Sequence, residues 1–279
     1  IFFISFSELH VMTRKFPNEF LYQVFALIIA VIIVHAVYVT VIRPQASAVM
    51  AEQTIRIQED ANYTPQRSLY VLIRDFEQES CFVLMLWAFA IMGFKASKAT
   101  GERKLLQQEL VPVREGVRIL PEDTREYART IQSLPDTIRD MLLPRVILSS
   151  LERFGSTRNI QDVSSVANTL CESEGERLES ELSMIRYIAW AIPSVGFIGT
   201  VRGIGEALSQ AHRAVDGDIA GVTQSLGTAF NSTFIALLIS IVVMFLVHQL
   251  QLLQERQVFD TQTYIDHNLI RHMQARGGV

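Results

Sequence analysis

The sequence predicts an all-α membrane protein with four transmembrane helices and long helical extensions outside the bilayer. Three observations carry that expectation. Of 279 residues, 49% are hydrophobic and only 19% charged, and the mean hydropathy is positive, a balance ordinary for a membrane protein and unusual for a soluble domain. Four apolar runs, alone or with snorkelling flanks, match a hydrocarbon core of about 30 Å. Between the second and third runs lies a long polar stretch with the apolar spacing of helices.

The first run, Leu21 to Ile42, carries no charge and predicts a first span at 21–42, behind an N-terminal segment 1–20. Arg14 and Lys15 before it and Ala46-Ser47-Ala48 after it resemble the flanks of a signal peptide. The apolar run exceeds the roughly 7–15 residues of a signal core, so a retained helix is expected. The chain opens on Ile1, so the gene product is expected to extend further. The second span is set at 80–96, where Ser80 to Phe94 is uncharged and Lys95 and Lys98 can snorkel. The third, 187–208, begins with Tyr187 to Val201 and continues past Arg202 through apolar and glycine positions. The fourth, 225–250, is the clearest, because no charge occurs between Ile219 and Gln254.

Orientation follows from the basic residues beside the spans. Arg14 and Lys15 precede the first, while Lys95, Lys98, Arg103 and Lys104 follow the second, which places both flanks in the cytoplasm. Residues 43–79 become a periplasmic loop, 97–186 a cytoplasmic helical domain, 209–224 a short periplasmic turn around Asp216 to Asp218, and 251–279 a cytoplasmic C-terminal helix. Both termini are cytoplasmic in this reading. Pro112, Pro121, Pro135 and Pro144 cut the cytoplasmic portion. From Ile160 onward, Val163, Val166, Leu170, Leu178, Leu182 and Ile185 recur at helical spacing with no breaker before the third span, which predicts one long helix running into the membrane. The stripe Leu252, Phe259, Ile265, Leu269 and Met273 predicts that the fourth helix also projects well beyond the bilayer.

Several function classes are excluded. The net charge of −4 is spread over interleaved acids and bases, so no nucleic-acid surface is expected. Cys81 and Cys171 make no disulfide framework, and no Cys/His spacing fits a metal, so no cofactor is expected. No cluster of nucleophile, base and acid points to an enzyme. Internal repeats would favour a secondary transporter, which stays an alternative, and none is found.

The chemistry concentrates on the last two spans. On the third, Gly196, Thr200, Gly203 and Ala207 recur three or four apart, as do Gly199 and Gly203, and leave a face without bulk, where another helix can come close. Pro193 lacks a donor and releases a carbonyl one turn back, which a membrane tolerates only where water, a side chain or a cavity satisfies it. On the fourth, Ser225, Thr228, Ser232, Ala236 and Ser240 form a second small and polar line, with Thr233 at its edge. A single membrane threonine usually bonds its own i−4 carbonyl. Five hydroxyls on one helix beside glycines and a proline on the other exceed what packing requires. Facing each other or a common axis, the two would line a narrow path with hydroxyls.

The third span resembles the Ala-Pro-x-x-Gly-x-x-Gly-Thr-Val-x-Gly-Ile signature of the MotA/TolQ/ExbB proton-channel family at Pro193, Gly196, Gly199, Thr200, Val201, Gly203 and Ile204. The fourth resembles that family's Ala-x-x-x-Thr-x-x-Gly-Leu segment at Ala229, Thr233 and Leu237. The resemblance implies a homopentamer around a dimeric ExbD/TolR/MotB-like single-span partner that carries a membrane aspartate. It implies a stator subunit of the bacterial inner membrane that couples H⁺ or Na⁺ flow to rotation or force, with Thr200 and Thr233 on the ion path beside Thr228 and Ser232. Pro193, Gly196, Gly199, Gly203, Ala229 and Ala236 are expected to set helix packing and pore geometry. Ala236 stands where the family has glycine, Val242 where it has proline, Thr228 where the Tol and Exb members carry glutamate, and Arg202 where an aromatic residue is usual. The alternatives are a non-conducting scaffold or receptor subunit and a secondary transporter. Independently of the resemblance, no Asp or Glu lies in the four apolar cores, and the imidazoles there are His35 and, near an end, His248. His35 has no partner in sight. A proton path then needs a carboxylate from a partner helix.

Overall fold

The computed structural model describes residues 18–59, 68–108, 110–111, 118–215, 217 and 219–274. The expectations attached to Arg14, Lys15, Pro112, Asp216 and Asp218 lie outside the described residues. Among the described residues the regular structure is helical, apart from a parallel bridge between Ile119 and Met273. Four helical runs are long and apolar enough to cross a membrane: Glu19–Ile57, Phe76–Leu105, Ile160–Ser209 and Ala220–His272. The chain divides into two compact units, one built from the residues up to Ile91 with Ala191–Ser240, the other from Met92–Trp190 with the residues from Ile241 onward.

In the first unit, α1 (Asn18–Val37) is apolar around its circumference, as a lipid-facing helix must be. It passes through a π-helical turn, Tyr38–Ile42, into α2 (Arg43–Glu59). Pro44 accounts for the turn: it has no N–H for the Thr40 carbonyl, and the Arg43 N–H reaches back to the Tyr38 carbonyl instead. The segment expected as a 43–79 loop is therefore helical over Arg43–Glu59, and again in α3 (Leu69–Leu72). Low hydropathy ends a membrane span but not a helix, and the alanines, glutamines and glutamates here are good helix formers. Next comes α4 (Phe76–Leu105), which begins before and ends beyond the expected 80–96; Glu77 and Glu79 in its first turn suit the positive end of the helix dipole. Trp87 Nε1 donates to the Gln23 carbonyl at 2.9 Å and the Tyr22 hydroxyl to the Ala90 carbonyl at 3.1 Å, which fixes α4 against α1.

The second unit has a core of large side chains. Here α5 (Thr124–Gln132), the single turn α6 (Asp136–Arg139), α7 (Leu142–Thr157) and α8 (Ile160–Glu181) pack through Leu142, Val146, Ile147, Leu151, Phe154, Val163 and Ala167, joined by Ile265 and Leu269. Pro144 sits in the first turn of α7, where a missing N–H costs nothing, and Pro135 immediately precedes α6. Arg158 ends α7 in the left-handed region at φ 55°, and Asn159 caps α8 by accepting from the Gln161 N–H at 2.9 Å. Glu174, buried on α8, is held by Arg145 at 2.6 Å and by Arg177.

The long helix expected from Ile160 into the third span is present with one interruption. The chain tightens at Leu182, whose N–H bonds the Glu179 carbonyl at 3.1 Å, before α9 (Ser183–Ser209) continues with Pro193 inside it. After the short α10 (Ala211–Val215), Gly217 takes φ 91°, a conformation open to glycine and costly for most other residues. The 49-residue α11 (Ala220–Asn268) then runs far beyond the length of a span, and Ile270–His272 close the described chain as a 3₁₀ turn.

Candidate ion path between the third and fourth spans

Within the first unit, the small faces of α9 and α11 meet. A Cβ placed on Gly196 would lie 2.5 Å from the Ala236 Cβ, on Gly199 2.6 Å from the Ser232 Cβ, and on Gly203 2.7 Å from the Ala229 Cβ and 2.9 Å from the Ser225 carbonyl oxygen. Those separations exclude any side chain at the three glycines, so each one matches a small residue of α11. Ser225, Ala229, Ser232 and Ala236 are correspondingly buried.

The contact brings the two threonines together. Their hydroxyl oxygens are 2.5 Å apart, Thr200 Oγ1 lies 3.1 Å from the Ala229 carbonyl, and Thr233 Oγ1 lies 3.1 Å from the Gly196 carbonyl. Each hydroxyl thus reaches across to the backbone of the facing helix. Ser232 donates to the Thr228 carbonyl at 3.1 Å and accepts from Gln78 Nε2 at 3.3 Å. Thr228 therefore joins the arrangement through its backbone carbonyl, its side chain being only half-buried. Pro193 lies one turn before the contact, within the unbroken α9.

A second cluster was not anticipated from the sequence. Glu77, Gln78 and Glu79, in the first turn of α4, are all buried. Glu77 takes both arms of Arg202, Nε to Oε1 and Nη2 to Oε2, each at 2.8 Å, a fork geometry that fixes the guanidinium. Glu79 holds His35 Nδ1 at 2.7 Å and is bonded by Arg43, so His35 does have a partner. Burial raises the neighbouring Asp75 carboxyl above the usual range, against the pull of Arg74. The signal available in the sequence was Arg202 itself, since a charge inside a span demands a counter-ion. Its partner lies 125 residues away, at the edge of a different apolar run.

Residues 139–263 match the model of one protein family. It is the model of the MotA/TolQ/ExbB proton channel family. The matched stretch contains α7, α8, α9 and most of α11, and with them Thr200, Thr233 and the facing glycines. Searches of curated proteins and of solved structures gave no match. The match over residues 139–263, together with the four apolar helical runs, supports a multi-pass membrane protein with an ion-channel-like role. The family is one of channels working in membrane complexes, not of enzymes. Residues 18–138, including Glu77 and Gln78, lie outside the matched region.

Proposed function

We propose that this chain is the pore-forming stator subunit of a motor driven by ion-motive force. It carries H⁺ or Na⁺ along the hydroxyl line of α9 and α11 and couples that flow to rotation or force through a single-span partner. The observation that carries the reading is the Thr200–Thr233 hydroxyl pair, set where Gly196, Gly199 and Gly203 of α9 lie against Ala236, Ser232 and Ala229 of α11. An ion crossing an energised membrane releases only about 2.3 kcal/mol per charge per 100 mV, so its path must avoid any deep desolvation penalty. A line of hydroxyls satisfies that requirement. The path runs between residues of one subunit, and in an assembly of five copies around a dimer of ExbD/TolR/MotB-like partners the partner helix would supply the carboxylate that the four apolar cores lack.

The chain is placed in a bacterial inner membrane, termini cytoplasmic, with 97–186 in the cytoplasm and 43–79 in the periplasm. A cysteine at Ser47 should then be labelled in intact cells by an impermeant thiol reagent and one at Ser97 should not; the reverse pattern overturns the orientation. The scaffold reading has one observation in its favour: both threonine hydroxyls are already satisfied by helix carbonyls, as in a packed interface. Reconstitution separates the two readings. The native complex in liposomes should take up H⁺ or Na⁺ under an imposed gradient; uptake of neither ion would leave a scaffold.

A further inference from the structure

The fork between Arg202 and Glu77 sets a problem for any cation path in this unit. Arg202 lies two residues beyond Thr200, on the same helix, and carries a permanent positive charge. A cation moving past Thr200 would meet that charge in a low-dielectric setting, where repulsion is poorly screened. Two carboxylates face it: Glu77, through the fork at 2.8 Å, and Glu206, one turn further along α9, at 3.7 Å. The Glu77 stem runs beside the hydroxyl line as well: a Cβ on Gly199 would touch both Ser232 Oγ, at 2.8 Å, and the Glu77 Cγ methylene, at 3.1 Å. The next residue, Gln78, is fully buried and gives its amide N–H to Ser232 Oγ and to the Leu72 carbonyl. Its Oε1 has no hydrogen-bond partner among the described residues. A buried acceptor left bare is costly unless something binds it, and beside a line of hydroxyls the groups that bind an acceptor are water and cations.

We propose that the first turn of α4 is part of the ion path: Glu77 cancels the charge of Arg202 so that a cation can pass, and Gln78 Oε1 offers that cation, or its water, an acceptor beside Ser232. The inference rests on the reading of Thr200 and Thr233 as path residues. It assigns a conduction role to a helix outside the matched family region.

The test uses the native complex, purified through this chain and reconstituted in liposomes, with dye-reported H⁺ and Na⁺ uptake normalised to assembled complex by native mass spectrometry. Glu77→Gln removes the forked partner, leaves Arg202 only the half-exposed Glu206 at 3.7 Å, and should lower uptake by about tenfold or more, because a poorly compensated charge in a membrane site is a large barrier. Glu77→Gln combined with Arg202→Gln should return uptake to within about threefold of wild type, and Arg202→Gln alone should equal or exceed it. Gln78→Leu, which keeps the bulk and removes the acceptor, should lower uptake with assembly intact. Wild-type uptake by Glu77→Gln overturns the proposal, as does loss of uptake in an assembled Arg202→Gln complex. Should Glu77→Gln fail to assemble, the Arg202→Gln and double variants decide by the same criteria. If Thr200→Val and Thr233→Val also conduct like wild type in this assay, the path reading falls and takes the proposal with it; a flat response confined to the α4 variants sinks the proposal alone.

Discussion

In the unit that contains Ala191–Ser240, α9 and α11 touch through their smallest residues, whereas in the unit that contains Met92–Trp190 the helices pack through large side chains. Gly196, Gly199 and Gly203 lie against Ala236, Ser232 and Ala229, while Phe25, Ile32, Phe197, Val201 and Phe234 point outward. The other unit buries Leu142, Ile147, Leu151, Phe154 and Leu182 completely. The difference follows from the solvent. In water, burial of a leucine or phenylalanine side chain contributes about 1.5–3 kcal/mol, so bulk moves inward. In lipid, tails are as apolar as the side chains, and helices are held by close approach and by hydrogen bonds across the contact. A close approach of that kind brings hydroxyls on facing helices within bonding distance, as at Thr200 and Thr233. The packing that suits the bilayer is therefore also what brings hydroxyls of facing helices together.

Opposite substitutions should break the two regions. Gly203→Leu places side-chain atoms where a Cβ alone would already lie 2.9 Å from a backbone carbonyl and 3.0 Å from the Ala229 Cα, neither of which can move aside. Overpacking of this kind costs about 1–3 kcal/mol in an ordinary core, and more is expected against backbone. Loss of the assembled complex on native mass spectrometry is the predicted outcome. In the other unit, removal of bulk is what matters. Phe154→Ala empties the centre of the α5, α7 and α8 packing and should cost about 3–5 kcal/mol, read as a lowered thermal midpoint of the purified protein.

The sequence made some of this division readable and hid the rest for physical reasons. The four apolar runs, the small faces and the threonine pair were legible because hydropathy and helical spacing report on the bilayer and on one helix at a time. The helix over Arg43–Glu59 was not, because hydropathy is silent about backbone once a segment leaves the lipid. The prolines of the polar stretch read as cuts, yet Pro144 lies inside the first turn of α7, the helix that carries much of the core. Glu77 and Glu79 lay just outside the apolar run used to set the second span, so their pairing with Arg202 and His35 escaped a reading confined to the span cores. Pairings between residues so distant in the chain leave no local pattern.

A smaller and opposite effect sharpens the comparison. Gly175 lies inside α8 with nothing within 4 Å of a built Cβ, so it has none of the constraint that governs Gly203. Gly175→Ala should stabilise by about 0.5–1 kcal/mol through the lower entropy of the unfolded chain and the better helix propensity of alanine. A raised thermal midpoint is expected, and a glycine-to-alanine change that destabilises here as it should at Gly203 would erase the distinction between the units.

The central claim is that the hydroxyls between α9 and α11 conduct, and one measurement addresses it directly. Thr200→Val and Thr233→Val keep the shape of each side chain and remove its oxygen. H⁺ and Na⁺ uptake by the reconstituted complex should fall to the level of protein-free liposomes in both variants, with the subunit count on native mass spectrometry unchanged. Thr→Ser at either position should retain part of the flux. Wild-type uptake by both assembled valine variants would make the threonines packing residues and contradict the account.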